Sequence, residues 1–151
     1  MENETSSIPH LISINEIRNI SIDYKEVLLL LQQLTNAPMM EKTKYFDIIN
    51  KLSHNQFIFT ITNNNKVIGI ISLLIEQKLI HNGGKVAHIE DLVIDKLHQH
   101  KGYASQLIQH AVAVAKLHKC YKCILNCNDD VKPLYEKNGF TRKTNGMAIY
   151  F

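Results

Sequence analysis

The spacing of apolar positions changes several times along the chain, and each change marks an element. Leu11-Ile12-Ser13-Ile14-Asn15-Glu16-Ile17 partly alternates apolar and polar residues, which predicts a strand. From Tyr24 the period lengthens. Tyr24, Val27, Leu28, Leu31 and Leu34 recur at helical spacing, and Ser21 or Asp23 stands ready to cap the first turn. Proline disfavours helix in the residue before it, so this helix is expected to stop near Asn36-Ala37-Pro38. A second helix is expected over residues 41–52, burying Tyr45, Phe46, Ile49 and Leu52. The period then drops to two. Residues 57–62 and 66–75 are β-branched and aromatic, and Asn63-Asn64-Asn65 between them tolerates positive φ, so a hairpin is predicted. His81-Asn82-Gly83-Gly84 breaks the pattern before a further strand at residues 86–94. Ala104, Leu107, Ile108, Ala111, Val112 and Ala115 form an apolar helical stripe. A short strand at 122–126, a short helix at 131–137 ended by Asn138-Gly139, and a last strand at 147–151 complete the order. A hairpin followed by β-α-β crossovers predicts an α/β fold, a mixed central sheet with helices on both faces.

Composition narrows the class without naming a chemistry. A chain of 151 residues is one domain's worth, so residues 10–151 are expected to form a single domain behind a loose tail at 1–9. Charged residues at 21% and hydrophobic ones at 45% exclude a disordered, collagen-like or simple coiled-coil chain. No apolar run is long enough for a spanning helix. The polar, acidic start MENETSSIPH has no signal-peptide pattern, so a cytoplasmic protein is expected. A net charge of +3 is too weak to argue for nucleic acid but favours an anionic small ligand. Cys120, Cys123 and Cys127 are an odd set and read as reduced thiols. Together with His118 they offer a zinc reading, but there is no second C-x-x-C, and strand rise would set Cys123 and Cys127 about 13 Å apart.

The chemistry concentrates in HIEDLVIDKLHQHKGYASQLIQHAV, residues 88–112. In QHKGYA, Gly102 permits close backbone approach and Ala104 leaves the helix start uncrowded. The N–H groups of His100 to Ser105 would then face outward at a helix N-terminus, which carries about half a positive charge and attracts phosphate oxygens. An ordinary glycine-containing loop before a helix fits the same letters. A single glycine excludes the dinucleotide fingerprint, and no G-K-[ST] follows to make a P-loop. Glu90 and Asp91 interrupt an apolar strand. Adjacent strand residues point to opposite faces, so either both carboxylates find donors or one meets water on an edge strand.

A strand, Q-x-x-G-x-A opening a helix, another strand, a short helix and Tyr-Glu-x-x-Gly-Phe resemble the GNAT superfamily of N-acetyltransferases over roughly residues 57–151. KLIH at 78–81, HIED at 88–91, CYKCILNC at 120–127 and LYEKNGF at 134–140 resemble, more narrowly, its glucosamine-6-phosphate N-acetyltransferase family. The resemblance implies a single-domain GNAT fold, acetyl-CoA as cosubstrate without a metal, glucosamine 6-phosphate as acceptor, and a step in UDP-N-acetylglucosamine biosynthesis. It also implies a homodimer whose subunits contribute to one another's sugar pockets. On the cofactor side it implies that the backbone of Leu92, Val93 and Ile94 pairs with the pantetheine arm. His100, Lys101, Gly102, Tyr103, Ala104 and Ser105 would hold the pyrophosphate, and Asn126 would lie near the thioester. On the acceptor side it implies Thr35, Lys78, Leu79, Ile80, His81, Glu90, Asp91, Tyr121 and Lys122. Tyr135 would stand near the CoA sulfur, with Glu90 or Asp91 accepting the amine's proton through water. Two departures stand out: Asn126 where the family often has Asp, and Tyr150 where some members place a basic residue. The competing readings are the same fold with a peptide or small amine as acceptor, and a non-catalytic acetyl-CoA-binding module.

Overall fold

The five strands are β1 (Ile12–Glu16), β2 (Gln56–Asn63), β3 (Lys66–Gln77), β4 (Lys85–Ile94) and β5 (Cys120–Ile124). They form one sheet in chain order in a computed structural model whose described residues are 11–151. The tail expected at residues 1–9 lies outside the described residues. Neighbouring strands run antiparallel except β4 and β5, which are parallel. The helices are α1 (Tyr24–Leu31), α2 (Lys42–Lys51), a single turn α3 (Ile80–Gly83), α4 (Tyr103–Leu117) and α5 (Lys132–Lys137). This is the expected mixed sheet. The hairpin between β2 and β3 turns on Asn64 and Asn65 at φ 49° and 63°, the paired positive values that match strand twist.

Each face of the sheet is covered. On one, Leu107, Ile108, Ala111 and Ala115 of α4 pack on Phe59, Ile61, Ile71, Leu73 and Ile89. On the other, Val27, Leu28 and Leu30 of α1 and Tyr45 and Ile49 of α2 pack on Val67, Ile70 and Val93. The approach at the first face is close enough to require Gly69: a Cβ there would lie 2.5 Å from Ile94 Cδ1 and 2.7 Å from Ile61 Cγ2. None of the helices among the described residues is long and apolar enough to cross a membrane.

Five expectations need correction. The helix capped by Asp23, whose carboxylate accepts from Lys25 N, ends at Leu31 rather than near residue 36. The amides of Gln33 and Leu34 turn back onto the carbonyls of Leu30 and Leu31, tightening the chain, and Leu34 is exposed. Phe46 turns outward on α2, because only Tyr45 and Ile49 of that helix reach the sheet side fully. The HNGG stretch is not a plain break. His81, Asn82 and Gly83 have φ 51°, 54° and 72°, one left-handed turn closed by Lys78 N donating to Gly84 O at 2.8 Å. β5 begins at Cys120, two residues early, because Lys119 at φ 58° turns the chain directly out of α4. Residues 147–151 form no strand: Met147, Ile149, Tyr150 and Phe151 are exposed, and an alternating sequence is a strand only where an edge pairs with it.

Candidate active site

The site is built around the place where β4 loses a neighbour. β5 pairs with β4 only from Lys85 opposite Cys120 to His88 opposite Ile124. Beyond His88, β4 runs six more residues with no strand on that side, so main-chain polar groups face a gap. At the same point β4 carries a bulge. Ser72 faces Glu90 and Ile70 faces Val93, so Ile71 alone opposes Asp91 and Leu92. Asp91 takes up the extra residue at φ 52°. A bulge sharpens twist and bends its strand, here at the fork between β4 and β5. It also overturns the expectation of strict alternation: Glu90 and Asp91 are both exposed.

At the C-terminal end of β4 the chain is tied down before it enters α4. Asp95 N donates to Ile68 O at 2.8 Å, and the Asp95 carboxylate accepts from Leu97 N, His98 Nδ1 and Gln33 Nε2 at 2.9, 3.0 and 3.0 Å. The His98 bond first, then Gln33, holds that carboxyl below the usual carboxylate range. Gln33 Oε1 in turn accepts from Lys96 N at 2.9 Å, so one side chain pins the end of α1 to this turn. His100 and Gly102 have φ 60° and 86°. The first helical bond of α4 is Gln106 N to Gly102 O, and no side chain caps the helix. The amides of Tyr103, Ala104 and Ser105 are therefore left without helical carbonyls. A Cβ built on Gly102 would meet nothing within 4 Å, so the turn beside these amides is uncrowded. Uncapped amides, a helix dipole and an uncrowded turn fit a diphosphate.

Tyr135 packs half-buried against the α4 side of the core. Its helix, α5, ends with Phe140 N donating to Tyr135 O and Gly139 N to Glu136 O, at 3.1 and 3.0 Å, with Gly139 at φ 88°. This is a Schellman ending, and its hydrophobic contact is the edge-to-face pair of Tyr135 and Phe140, centroids 6.1 Å apart. Burial pushes the phenol's pKa up, and the neighbouring Cys127 and Glu90 push it further. Asn126 is exposed just before Cys127. The C-terminal segment passes against it, with a Cβ at Gly146 placed 2.9 Å from Asn126 Oδ1.

The residues expected on the acceptor side divide into two groups. Thr35 lies exposed two residues from Gln33, on the Asp95 side. Lys78 instead pairs with Glu76, which also holds His88 Nε2 at 2.8 Å. The His81 and Tyr121 rings meet at a 44° tilt with centroids 4.3 Å apart, and Lys122 Nζ lies 5.7 Å from the Tyr121 ring centre. Lys122 faces Val86 in register, four residues before Glu90, which is roughly 13 Å along the strand. The cluster of Lys78, His81, Tyr121 and Lys122, with exposed Leu79 and Ile80, is therefore separate from Glu90 and Asp91 within one chain.

Two connecting residues escaped the sequence reading. Gln33 and Asp95 carry no local signal, since a long-range side-chain clamp leaves no period. No group of three His, Cys, Asp or Glu side chains among the described residues is placed to hold a metal. Burial raises the Cys120 thiol and pushes Cys123 up to about 11, so neither is readily a thiolate ligand.

Residues 16–140 match the sequence profile of the acetyltransferase (GNAT) family. The chain is 36% identical over 124 residues to glucosamine 6-phosphate N-acetyltransferase 1 of Dictyostelium discoideum, covering 80% of this chain and 79% of that one. It is 37% identical over 87 residues to probable glucosamine 6-phosphate N-acetyltransferase 2 of Oryza sativa, covering 58% of this chain and about half (52%) of the rice protein. The crystal structure of glucosamine-6-phosphate N-acetyltransferase from Arabidopsis thaliana superposes with a TM-score of 0.83 at 27% identity, covering 93% of this chain and 99% of that one. An aminoglycoside acetyltransferase from a soil metagenome, 15% identical with a TM-score of 0.76, shares the fold alone.

Proposed function

The chain belongs to the GNAT family of acetyltransferases, and we propose that it moves the acetyl group of acetyl-CoA onto the amine of glucosamine 6-phosphate. The products are N-acetylglucosamine 6-phosphate and CoA, a step toward UDP-N-acetylglucosamine. The observation that carries this reading is the fork. An unpaired half of β4 runs toward an uncapped helix end, and a half-buried tyrosine packs on the core beneath that helix. The names of the relatives supply the acceptor.

The residues divide the work by chemistry. The amides before and within the first turn of α4, from His100 to Ser105, receive the diphosphate. The open main chain of Leu92, Val93 and Ile94 pairs with the amide-bearing pantetheine arm as an added strand would. An N–H near Leu92 or Val93 donates to the thioester carbonyl as negative charge develops on its oxygen. An amine with a pKa of about 7.7–8.0 is partly free at neutral pH, so the acceptor attacks directly and no covalent enzyme intermediate is needed. Holding the two reactants together is worth about 7–11 kcal/mol. Asp91 accepts from the amine and Glu90 from sugar hydroxyls, and one of them takes the released proton through water. Asn126 stands by the thioester as a neutral carboxamide, so it orients but does not act as a base.

Tyr135 faces the departing sulfur. An ordinary phenol lies about 1.5 pKa units above a thiol, so full proton transfer is uphill by about 2 kcal/mol. Burial makes the Tyr135 phenol a still weaker acid, which favours a hydrogen bond to the sulfur over complete transfer. The acceptor's phosphate falls to the other cluster. Lys78, His81, Tyr121 and Lys122, with the exposed Leu79 and Ile80, form a basic and apolar face far from their own Glu90. This division supports a homodimer in which that face completes the partner's pocket, beside Thr35 and the two carboxylates.

A CoA-release assay with glucosamine 6-phosphate, free glucosamine and a peptide amine tests the reading. Turnover is expected with the phosphorylated sugar and far less with the others. Equal rates on the peptide would overturn the acceptor, and no CoA release from any amine would leave only a binding module.

A further inference from the structure

The six-residue helix that carries Tyr135 is too short to hold its own orientation. An isolated helix needs roughly 12–15 residues to be even marginal in water. Its position must come from what it touches. Leu134, Tyr135 and Phe140 are partly buried against the α4 side of the core, but apolar contact is non-directional and lets a short helix slide or roll. One side chain supplies direction. Asn138, at the end of α5, donates from Nδ2 to Leu134 O at 2.8 Å and to Ser105 Oγ at 3.0 Å, and its Oδ1 accepts from Gln109 Nε2 at 3.3 Å. Both amide hydrogens and the carbonyl oxygen are used. Ser105 and Gln109 lie four residues apart on α4, so the carboxamide bridges α5 to successive turns of the longer helix.

We infer that Asn138 is a positioning residue for acetyl transfer: its carboxamide fixes the roll of α5 against α4 and thereby aims the Tyr135 phenol at the departing sulfur. The inference rests on the role proposed above for Tyr135 and adds how that role is made possible. Asn138 lies three residues after Tyr135, on the same side of the helix. Its partner Ser105 belongs to the first turn of α4, whose amides face the diphosphate. The phenol and the phosphate turn are thus referenced to one rigid helix end, which sets the distance between the two ends of the bound coenzyme. Asn138 itself touches neither reactant.

A double-mutant cycle tests this, read as the single-turnover rate of CoA release for wild type, Tyr135→Phe, Asn138→Ala and the double variant. Asn138→Ala is expected to slow the chemical step about 5–20-fold in the wild-type background and less than about twofold once Tyr135 is Phe, the non-additivity of two residues acting as one unit. Acetyl-CoA affinity by calorimetry should stay within about threefold, since the amides of the turn remain. Equal losses in both backgrounds would show that Asn138 serves only general structure, and would overturn the inference while leaving the tyrosine in place. A Tyr135→Phe rate equal to wild type would instead remove the tyrosine's role, and Asn138's with it. Should Asn138→Ala melt below the assay temperature, Gln109→Ala on the exposed face of α4 replaces it. A loss seen in wild type and absent with Tyr135→Phe supports the inference, and no loss in wild type overturns it.

Discussion

Asp91 shows how much one residue's backbone can decide. At φ 52° it occupies the left-handed region, which most L-residues enter at a cost of roughly 1–2 kcal/mol. Asp and Asn tolerate it best. Asp91→Asn therefore keeps the bulge and removes only the charge, which makes it a clean test of the carboxylate. The variant should raise the acceptor KM about tenfold and shift the pH optimum of kcat/KM, with acetyl-CoA affinity unchanged. An unaltered KM and pH profile would assign the amine to another group. The sequence made the two carboxylates conspicuous, as charges inside an apolar run, but assigned them to opposite faces. It could not show the bulge, because nothing in the letters IEDLV marks where a ladder slips. That is settled by pairing with β3.

Among the elements, the turn into α4 is the most legible and the most dependent on a single atom's absence. Gly102 at φ 86° has no neighbour that a Cβ would strike, so its glycine answers to backbone conformation and to the ligand space, not to crowding. Gly102→Ala should destabilise the chain by about 1–2 kcal/mol in urea titrations. It should also weaken acetyl-CoA binding by about tenfold or more in calorimetry, equivalent to at least about 1.4 kcal/mol. Undiminished binding would place the diphosphate elsewhere. Q-x-x-G-x-A is readable because its physics is local. The Gln33 clamp on Asp95 and Lys96 was not, because its partners lie 62 and 63 residues away. Likewise Asn138 reads in sequence only as a helix stop. Its bonds to Ser105 and Gln109 exist only once α5 lies on α4.

The whole molecule carries its titrating groups in opposite senses at the two ends of the pH scale. Burial pushes Tyr45 from 10.0 up to about 12 and Cys123 from 9.0 up to about 11, so the folded state holds these protons more tightly than the unfolded one. Their contribution is complete below the unfolded values and is lost as pH rises through 9 toward 12. His110, packed edge-on against Phe59 at 4.6 Å, is moved the other way by burial. Its share is present above its ordinary value and is lost as pH falls below about 6.5. Asp95 adds to the acid side, since its lowered carboxyl pKa contributes until protonation. Melting temperature should therefore be level between about pH 7 and 9 and fall on both sides. A maximum above pH 10 would contradict these assignments. At the same scale, the separation of the Lys122 face from Glu90 predicts a dimer in sedimentation at micromolar concentration. A monomer with full turnover would place the acceptor's phosphate site within one chain.

Read alone, the chain determined its hairpin, its long amphipathic helix, the glycine turn before that helix and the mixed sheet they assemble into. All of these follow from periods and turn chemistry that act over a few residues. Residues 147–151 alternate as a strand should, yet lie exposed, because pairing requires an edge that periodicity does not provide. The fork between β4 and β5, the bulge at Asp91, and the setting of Tyr121 and Lys122 apart from Glu90 belong to tertiary structure. They depend on which main-chain groups are left without a partner, and that is decided only when distant segments meet.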